Sequence, residues 1–165
     1  MSTKKLSTAA RTADVKSESN LTIDRTNHTI ILVRSFDAPR ELIFDSWTQP
    51  EQVLCWWDPT GAPLAECEID LRRGGAFKFV YQTLAGAHPF TGLYREIARA
   101  TRLVFEAMGA VGKVILEERG GTTLMTVSIT CASKAAFDHF LTLGVDRDTA
   151  RTLDNLIAYV RAKWS

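Results

Sequence analysis

The stretch from Leu64 to Cys131 constrains this chain most, because it is a succession of strand-length segments separated by short turns. Apolar and polar residues alternate in it: Cys67 and Ile69 point to one side of the first segment, and Glu66 and Glu68 to the other. Glycine pairs favour tight turns, and strands joined by short turns are antiparallel. We therefore predict an antiparallel sheet with strands at residues 64–71, 76–82, 90–97, 101–107, 111–118 and 122–131.

One further strand and two short helices are predicted before this region. Residues 29–36 are dense in β-branched side chains and have the length of a strand. In the helix that follows, Pro39 occupies the first turn, and Leu42, Ile43 and Trp47 share one face. Pro50 ends that helix, and residues 51–57 have room for another turn or two.

The end of the chain returns to helix. Ser133 is a candidate N-cap, Phe137 and Phe140 recur at helical spacing, and Gly144 interrupts the pattern. An apolar stripe follows, formed by Leu153, Leu156, Ile157, Val160 and Trp164. A sheet with one apolar face needs a cover, so we predict an α+β fold in which a curved seven-stranded antiparallel sheet grips the long C-terminal helix.

The chain has 165 residues, which is about the length of one domain. Residues 1–26 are rich in Ser, Thr, Lys and Ala without apolar periodicity, so we expect a flexible tail there and a single domain over residues 27–165.

Composition excludes several classes of protein. The formal net charge is +1, whereas binding of nucleic acid through phosphates needs a basic excess. No apolar run approaches the roughly 20 residues that span a bilayer, and the N-terminus lacks a secretory pattern. Cys55, Cys67 and Cys131 are odd in number and lie in apolar surroundings, which is typical of reduced core thiols. We expect a cytoplasmic protein.

Sites for metals, nucleotides and nucleophilic catalysis have no support in the sequence. His28, His88 and His139 are too scattered for metal-ligand spacing. The glycine pairs are turns and do not form a phosphate-binding loop, and no Gly-x-Ser-x-Gly motif is present. We expect neither a metal nor a cofactor.

Several blocks of residues resemble a known family. They include Arg34-Ser-Phe-Asp-Ala-Pro-Arg-Glu-Leu-Ile-Phe-Asp-Ser-Trp47, Cys55-Trp-Trp-Asp-Pro59, Phe90-Thr-Gly-Leu-Tyr-Arg-Glu-Ile97 and Leu153-Asp-Asn-Leu-Ile-Ala-Tyr159. In this order they are similar to the small bacterial proteins related to the C-terminal domain of Aha1, the activator of the Hsp90 ATPase. The resemblance covers residues 29–160 and implies the helix-grip fold of START-like and Bet v 1-like proteins, with a cavity between the sheet and the long helix.

The chain departs from this family at two places. Many relatives carry a Gly-Trp pair one turn before the Leu-x-x-Leu of the last helix, whereas Asp148 and Thr149 stand here. The loss of an indole implies a larger or wetter cavity. In the turn after Leu71, Arg73 replaces the usual proline, which affects the rigidity of that turn.

Aromatic residues are the candidates for ligand binding. Small-molecule sites combine apolar walls with a few polar groups, but the same rings also fill ordinary cores. The candidate ligand-binding residues are Trp47, Trp56, Trp57, Phe77, Phe79, Tyr81, Tyr94, Phe105 and Phe140. The leading hypothesis is an intracellular protein that binds a small apolar or amphipathic molecule.

Two other functions stay open. The resemblance to Aha1 implies a module that interacts with an Hsp90-type chaperone. A cyclase-like or dehydratase-like enzyme would need a buried carboxyl group, for which Glu96 beside Tyr94 on one strand face is a weak candidate. The acidic row of Glu66, Glu68 and Asp70 is more typical of a solvated sheet face. A homodimer through an apolar helix or an edge strand is also compatible with the sequence.

Overall fold

A computed structural model of the chain describes residues 20–82 and 88–164. In these residues, eight strands form one antiparallel sheet in the order β1-β2-β8-β7-β6-β5-β4-β3. The strands are β1 (Leu21–Asp24), β2 (Thr29–Phe36), β3 (Leu64–Ile69), β4 (Ala76–Tyr81), β5 (Phe90–Ala98), β6 (Arg102–Ala107), β7 (Ala110–Arg119) and β8 (Thr122–Cys131).

Helices occupy the two predicted regions of the chain. They are α1 (Arg40–Thr48), α2 (Pro50–Trp56), α3 (Lys134–Leu143) and α4 (Val145–Trp164). The Ser133 hydroxyl caps α3 by accepting a hydrogen bond from the Ala136 amide, and Gly144 ends α3 with a left-handed φ of 79°. The α+β fold with two short helices after the first long strand is therefore confirmed.

The meander from β3 to β8 follows from local turns. Gly120 and Gly121 have φ angles of 59° and 84°, the left-handed pair that a two-residue hairpin between β7 and β8 requires. The sheet is completed across the sequence, because β2 pairs with β8 over its full length from Thr29–Thr130 to Phe36–Thr123. As a result, the helices before the meander (α1 and α2) and the first helix after it (α3) contact the same sheet.

The eighth strand corrects the predicted boundary of the tail. Leu21 to Asp24 pair with residues 29–32 of β2, and Leu21 and Ile23 pack against the core. The Asp24 carboxylate accepts hydrogen bonds from the amides of Thr26 and Asn27 at 3.1 Å and closes the turn. The predicted tail covers residues 1–26, but four of its last residues form β1. Residues 1–19 lie outside the described part, and their flexibility stays a prediction.

Helix α4 lies against the sheet through Thr152, Leu153, Leu156 and Val160, which are all buried. The Arg34 guanidinium of β2 is 4% exposed, and its Nε lies 3.3 Å from an Asp154 carboxylate oxygen on the helix. The predicted apolar stripe is too long at its end, because Trp164 is 52% exposed. The last turn of α4 therefore contributes little to the core.

Candidate functional site

A cavity of about 340 Å³ lies between the sheet and the two C-terminal helices. Strands β6, β7 and β8 form one wall, with Phe105, Gly112 and Val127 among the residues that line it, and α3 and α4 form the other wall. The exposed residues Met108 and Leu143 also line it, so the cavity reaches the surface between the β6–β7 turn and the end of α3. We call this space the sheet–helix cavity. Small-molecule sites usually measure about 300–1,000 Å³.

Five of the nine predicted ligand-binding residues line the sheet–helix cavity. They are Trp47, Trp57, Tyr81, Phe105 and Phe140. Trp57 is central among them, because its ring centroid lies 6.1 Å from that of Trp47 and 5.1 Å from that of Phe90. These edge and tilted contacts are the arrangements that aromatic rings prefer.

The other four predicted residues belong to the packed core. Phe77, Phe79 and Tyr94 line an adjoining space of only about 10 Å³, which shares four of its rings with the sheet–helix cavity. That space is close to the lower limit for one water molecule, and rings surround it. Trp56 lines neither space: it is 1% exposed, and its Nε1 donates a hydrogen bond to the Ser46 carbonyl at 3.0 Å. These four side chains therefore pack in the core, which is the alternative role that the sequence left open for every ring.

Polar groups hold Trp57 in position at one side of the cavity. Its Nε1 donates a hydrogen bond to the Tyr81 hydroxyl oxygen at 3.3 Å, and its carbonyl accepts one from the Thr152 hydroxyl at 3.1 Å. Burial raises the pKa of Tyr81 above its ordinary value, so the phenol is neutral at physiological pH. The cavity therefore combines apolar walls with a fixed hydroxyl group.

The two positions at which the chain departs from the family pattern also line the cavity. Asp148 and Thr149 lie on the first turns of α4 and face the space that Trp47 and Trp57 border from the other side. A tryptophan at either position would occupy part of that space. The departure from the family thus falls on the wall of the cavity.

Glu96 and Tyr94 do not form a common site. The register between β5 and β6 shifts between these two residues, and such a bulge reverses the side to which the following side chain points. Tyr94 is 3% exposed, whereas the Glu96 carboxylate lies at the surface and pairs with the Arg102 Nε at 2.9 Å. The expectation that both share a face is wrong. Burial is the main cause that raises the pKa of Tyr94.

The remaining reactive residues are dispersed. Within the residues that the structure describes, no group of three His, Cys, Asp or Glu side chains could hold a metal ion. Cys67 is partly buried, which raises the pKa of its thiol to about 12. Cys55 is exposed, so its predicted core position is wrong, and all three cysteines are free thiols. Glu66, Glu68 and Asp70 are exposed, as expected for a solvated face.

Sequence reasoning missed several residues of the cavity. Phe90 is two and four residues before Gly92 and Tyr94, so the alternation of β5 already placed it on their side. Met108 lies in the tight β6–β7 turn and Leu143 in the last turn of α3. Nothing in the local pattern distinguishes these two from ordinary surface residues, because their role depends on how the elements meet.

Solved structures of bacterial proteins share this fold. A protein from Nitrosomonas europaea superposes with a TM-score of 0.74 at 20% identity, covering 82% of this chain and 95% of its own. One from Arthrobacter aurescens gives a TM-score of 0.75 at 18% identity, with 86% and 91% covered. One from Mycobacterium smegmatis gives 0.74 at 19% identity, with 87% and 97% covered. Identities at this level establish the helix-grip fold alone.

The model of one protein family matches residues 37–161, which is more than half of the chain. Its description is "Activator of Hsp90 ATPase homolog 1-like protein". No protein of curated function matches the sequence. Among the described residues, no helix is both long enough and apolar enough to cross a bilayer.

Proposed function

The chain belongs to the family of activator of Hsp90 ATPase homolog 1-like proteins, and we propose that it binds a small apolar or amphipathic molecule in the sheet–helix cavity. The observation that supports this proposal is the cavity itself, which has a volume of about 340 Å³ and a wall of aromatic and aliphatic side chains. An apolar guest gains about 25 cal/mol for each Å² of its surface removed from water. A space of this size next to a packed core thus favours an occupant.

The positions of Trp47 and Trp57 supply a direct assay. Both indoles line the cavity, whereas Trp56 is buried elsewhere and Trp164 is at the surface. The delipidated Trp164→Phe protein is titrated with a panel of a fatty acid, a sterol and a polyphenol while its tryptophan emission is followed. Binding in the cavity should shift the emission of the protein with at least one of these compounds.

A matched pair of variants identifies the reporter. Trp57→Phe should reduce the ligand-induced change in emission and leave the part that Trp47 reports, whereas Trp56→Phe should retain the full change, because the Trp56 indole does not border the cavity. Circular dichroism verifies that both variants are folded. The absence of any emission shift across the panel, together with an unchanged melting temperature at saturating ligand, would contradict the proposal.

The family description favours a second candidate function, interaction with an Hsp90-type chaperone. Exposed Met108 and Leu143 at the cavity mouth offer apolar contact area. If this function holds, the chain should change the ATPase rate of an Hsp90-type chaperone, and Met108→Ser with Leu143→Ser should reduce the effect. An unchanged rate at saturating protein would contradict it. An enzymatic role through Glu96 and Tyr94 has no support in the geometry, and a homodimer stays a prediction.

A further inference from the structure

The charge distribution of the sheet–helix cavity restricts the ligand further. Among the described residues that line it, Asp148 is the only one with a formal charge, and no Lys, Arg or His is included. The Asp148 carboxylate is about half exposed, and its partner is the Nη1 of Arg151 at 3.5 Å, at the surface of α4. The wall therefore offers negative charge at its rim and no cation inside.

The fixed hydroxyl of Tyr81 supplies a hydrogen-bond donor. Its oxygen already accepts the Trp57 indole proton, and no described residue accepts the proton of the phenol itself. The neighbouring Thr152 hydroxyl is not available as a donor to a ligand, because its proton already goes to the Trp57 carbonyl. A ligand with a carbonyl, ether or hydroxyl oxygen can accept the Tyr81 proton, and a hydrogen bond of this kind contributes about 0.5–1.5 kcal/mol.

An anionic ligand is disfavoured for two reasons. Transfer of a carboxylate from water to an apolar site costs several kcal/mol unless a cation or several donors meet it. Here the charged side chain on the cavity wall is the carboxylate of Asp148, which repels a second negative charge. Burial is the main cause that raises the pKa of Tyr81, and the carboxylates of Asp58 and Asp148 act in the same direction. A carboxylic acid would have to enter in its neutral form, and at a pKa of about 4.3 only about one molecule in 500 is neutral at pH 7.

Resting on the function proposed above, we propose that the ligand is an electrically neutral molecule with a hydrogen-bond acceptor that takes the Tyr81 hydroxyl proton, and that the cavity discriminates against anions. The same apolar skeleton would bind as a ketone or ether and be rejected as a carboxylate. This assigns a specificity role to Tyr81 and to Asp148.

Three probes with one ring system test this specificity: 2-acetylnaphthalene as the neutral acceptor, naphthalene as the neutral compound without an acceptor, and 2-naphthoate as the anion. Affinities are measured by calorimetry at pH 7. The ketone should bind at least about 100-fold more tightly than the carboxylate, within the 500-fold limit set by its neutral fraction. Tyr81→Phe should weaken binding of the ketone about threefold to tenfold more than it weakens binding of naphthalene.

Charge variants test the role of Asp148. Asp148→Lys should strengthen binding of 2-naphthoate at least about tenfold, since it places a cation at the rim. Glu117→Lys makes the same charge change at an exposed site of β7 outside the cavity, and should have no effect. If Asp148→Lys proves too unstable, Asp148→Asn removes the negative charge and should strengthen binding of the carboxylate in the same direction.

The outcomes separate this inference from the function on which it rests. Equal affinity for ketone and carboxylate, or an effect of Tyr81→Phe on naphthalene as large as that on the ketone, would overturn the specificity while leaving ligand binding intact. Failure of all three probes to bind would count against both.

Discussion

Two phenylalanines on the same helix test whether the interior is hollow. Phe137 and Phe140 of α3 are 1% and 8% exposed, but only Phe140 lines the sheet–helix cavity. Phe137 is enclosed on all sides and lies 6.0 Å from the His28 ring. Replacement by alanine removes the same atoms in each case. Any difference in the loss of unfolding free energy therefore reflects the surroundings of the two rings.

The expected loss of unfolding free energy follows from how each ring is packed. A fully enclosed Phe→Ala replacement costs about 3–5 kcal/mol, which combines lost transfer energy with a new void. A ring that borders an existing cavity lacks neighbours on that side, so it has fewer dispersion contacts to lose. We expect Phe137→Ala to reduce the free energy of unfolding by about 3–5 kcal/mol and Phe140→Ala by about 1–2 kcal/mol less.

Urea unfolding followed by circular dichroism measures this difference. With an m-value of about 2 kcal/mol/M, the two midpoints should differ by about 0.5–1 M. Phe140→Ala should also change the affinity for any ligand of the cavity, whereas Phe137→Ala should not. If Phe140→Ala destabilises the protein as much as Phe137→Ala or more, the ring is enclosed as well and the reasoning from a preformed cavity is refuted.

Three further changes have defined outcomes. Thr149→Trp should fill part of the cavity and weaken ligand binding at least about tenfold, while Ala158→Trp on the exposed side of α4 should not; equal effects would contradict this. Gly112→Ala places a Cβ 2.5 Å from the Phe105 ring, so the urea midpoint should fall by the equivalent of about 1–3 kcal/mol, and an unchanged midpoint would show that the ring moves freely. Burial raises the pKa of Tyr94 above the value of about 10 in the unfolded chain, so the folded state holds the proton longer and stability falls as the pH rises above about 10. Tyr94→Phe should reduce this alkaline loss in urea titrations between pH 9 and 11, and parallel profiles for the two proteins would contradict the assignment.

Secondary structure was predictable where local patterns suffice. Strands β2 and β8 have the predicted bounds, because their alternating β-branched residues and the Gly120-Gly121 turn specify them without reference to the rest of the fold. The break between α3 and α4 at Gly144 was equally local, since the left-handed φ there suits glycine. Strand β1 was missed, because its four residues are stabilised by pairing with β2.

The site was only partly predictable, and the bulge in β5 shows why. Strict alternation places Tyr94 and Glu96 on one face, but one shifted register between β5 and β6 sends Glu96 to the surface. A bulge depends on how two strands align, which neither strand specifies alone. The alternation thus suggested a candidate acid and phenol pair, and the sheet separates its two members.

The sequence by itself determined that apolar side chains of a meander and of a final amphipathic helix must meet, and hence the α+β fold. It did not determine whether the rings would fill the space between them. Trp56 and Trp57 are neighbours with the same side chain, yet one is enclosed and the other lines a cavity. Hydrophobicity is nondirectional and selects which residues lie inside, whereas a void depends on the distances at which sheet and helix come to rest, which only the tertiary structure sets.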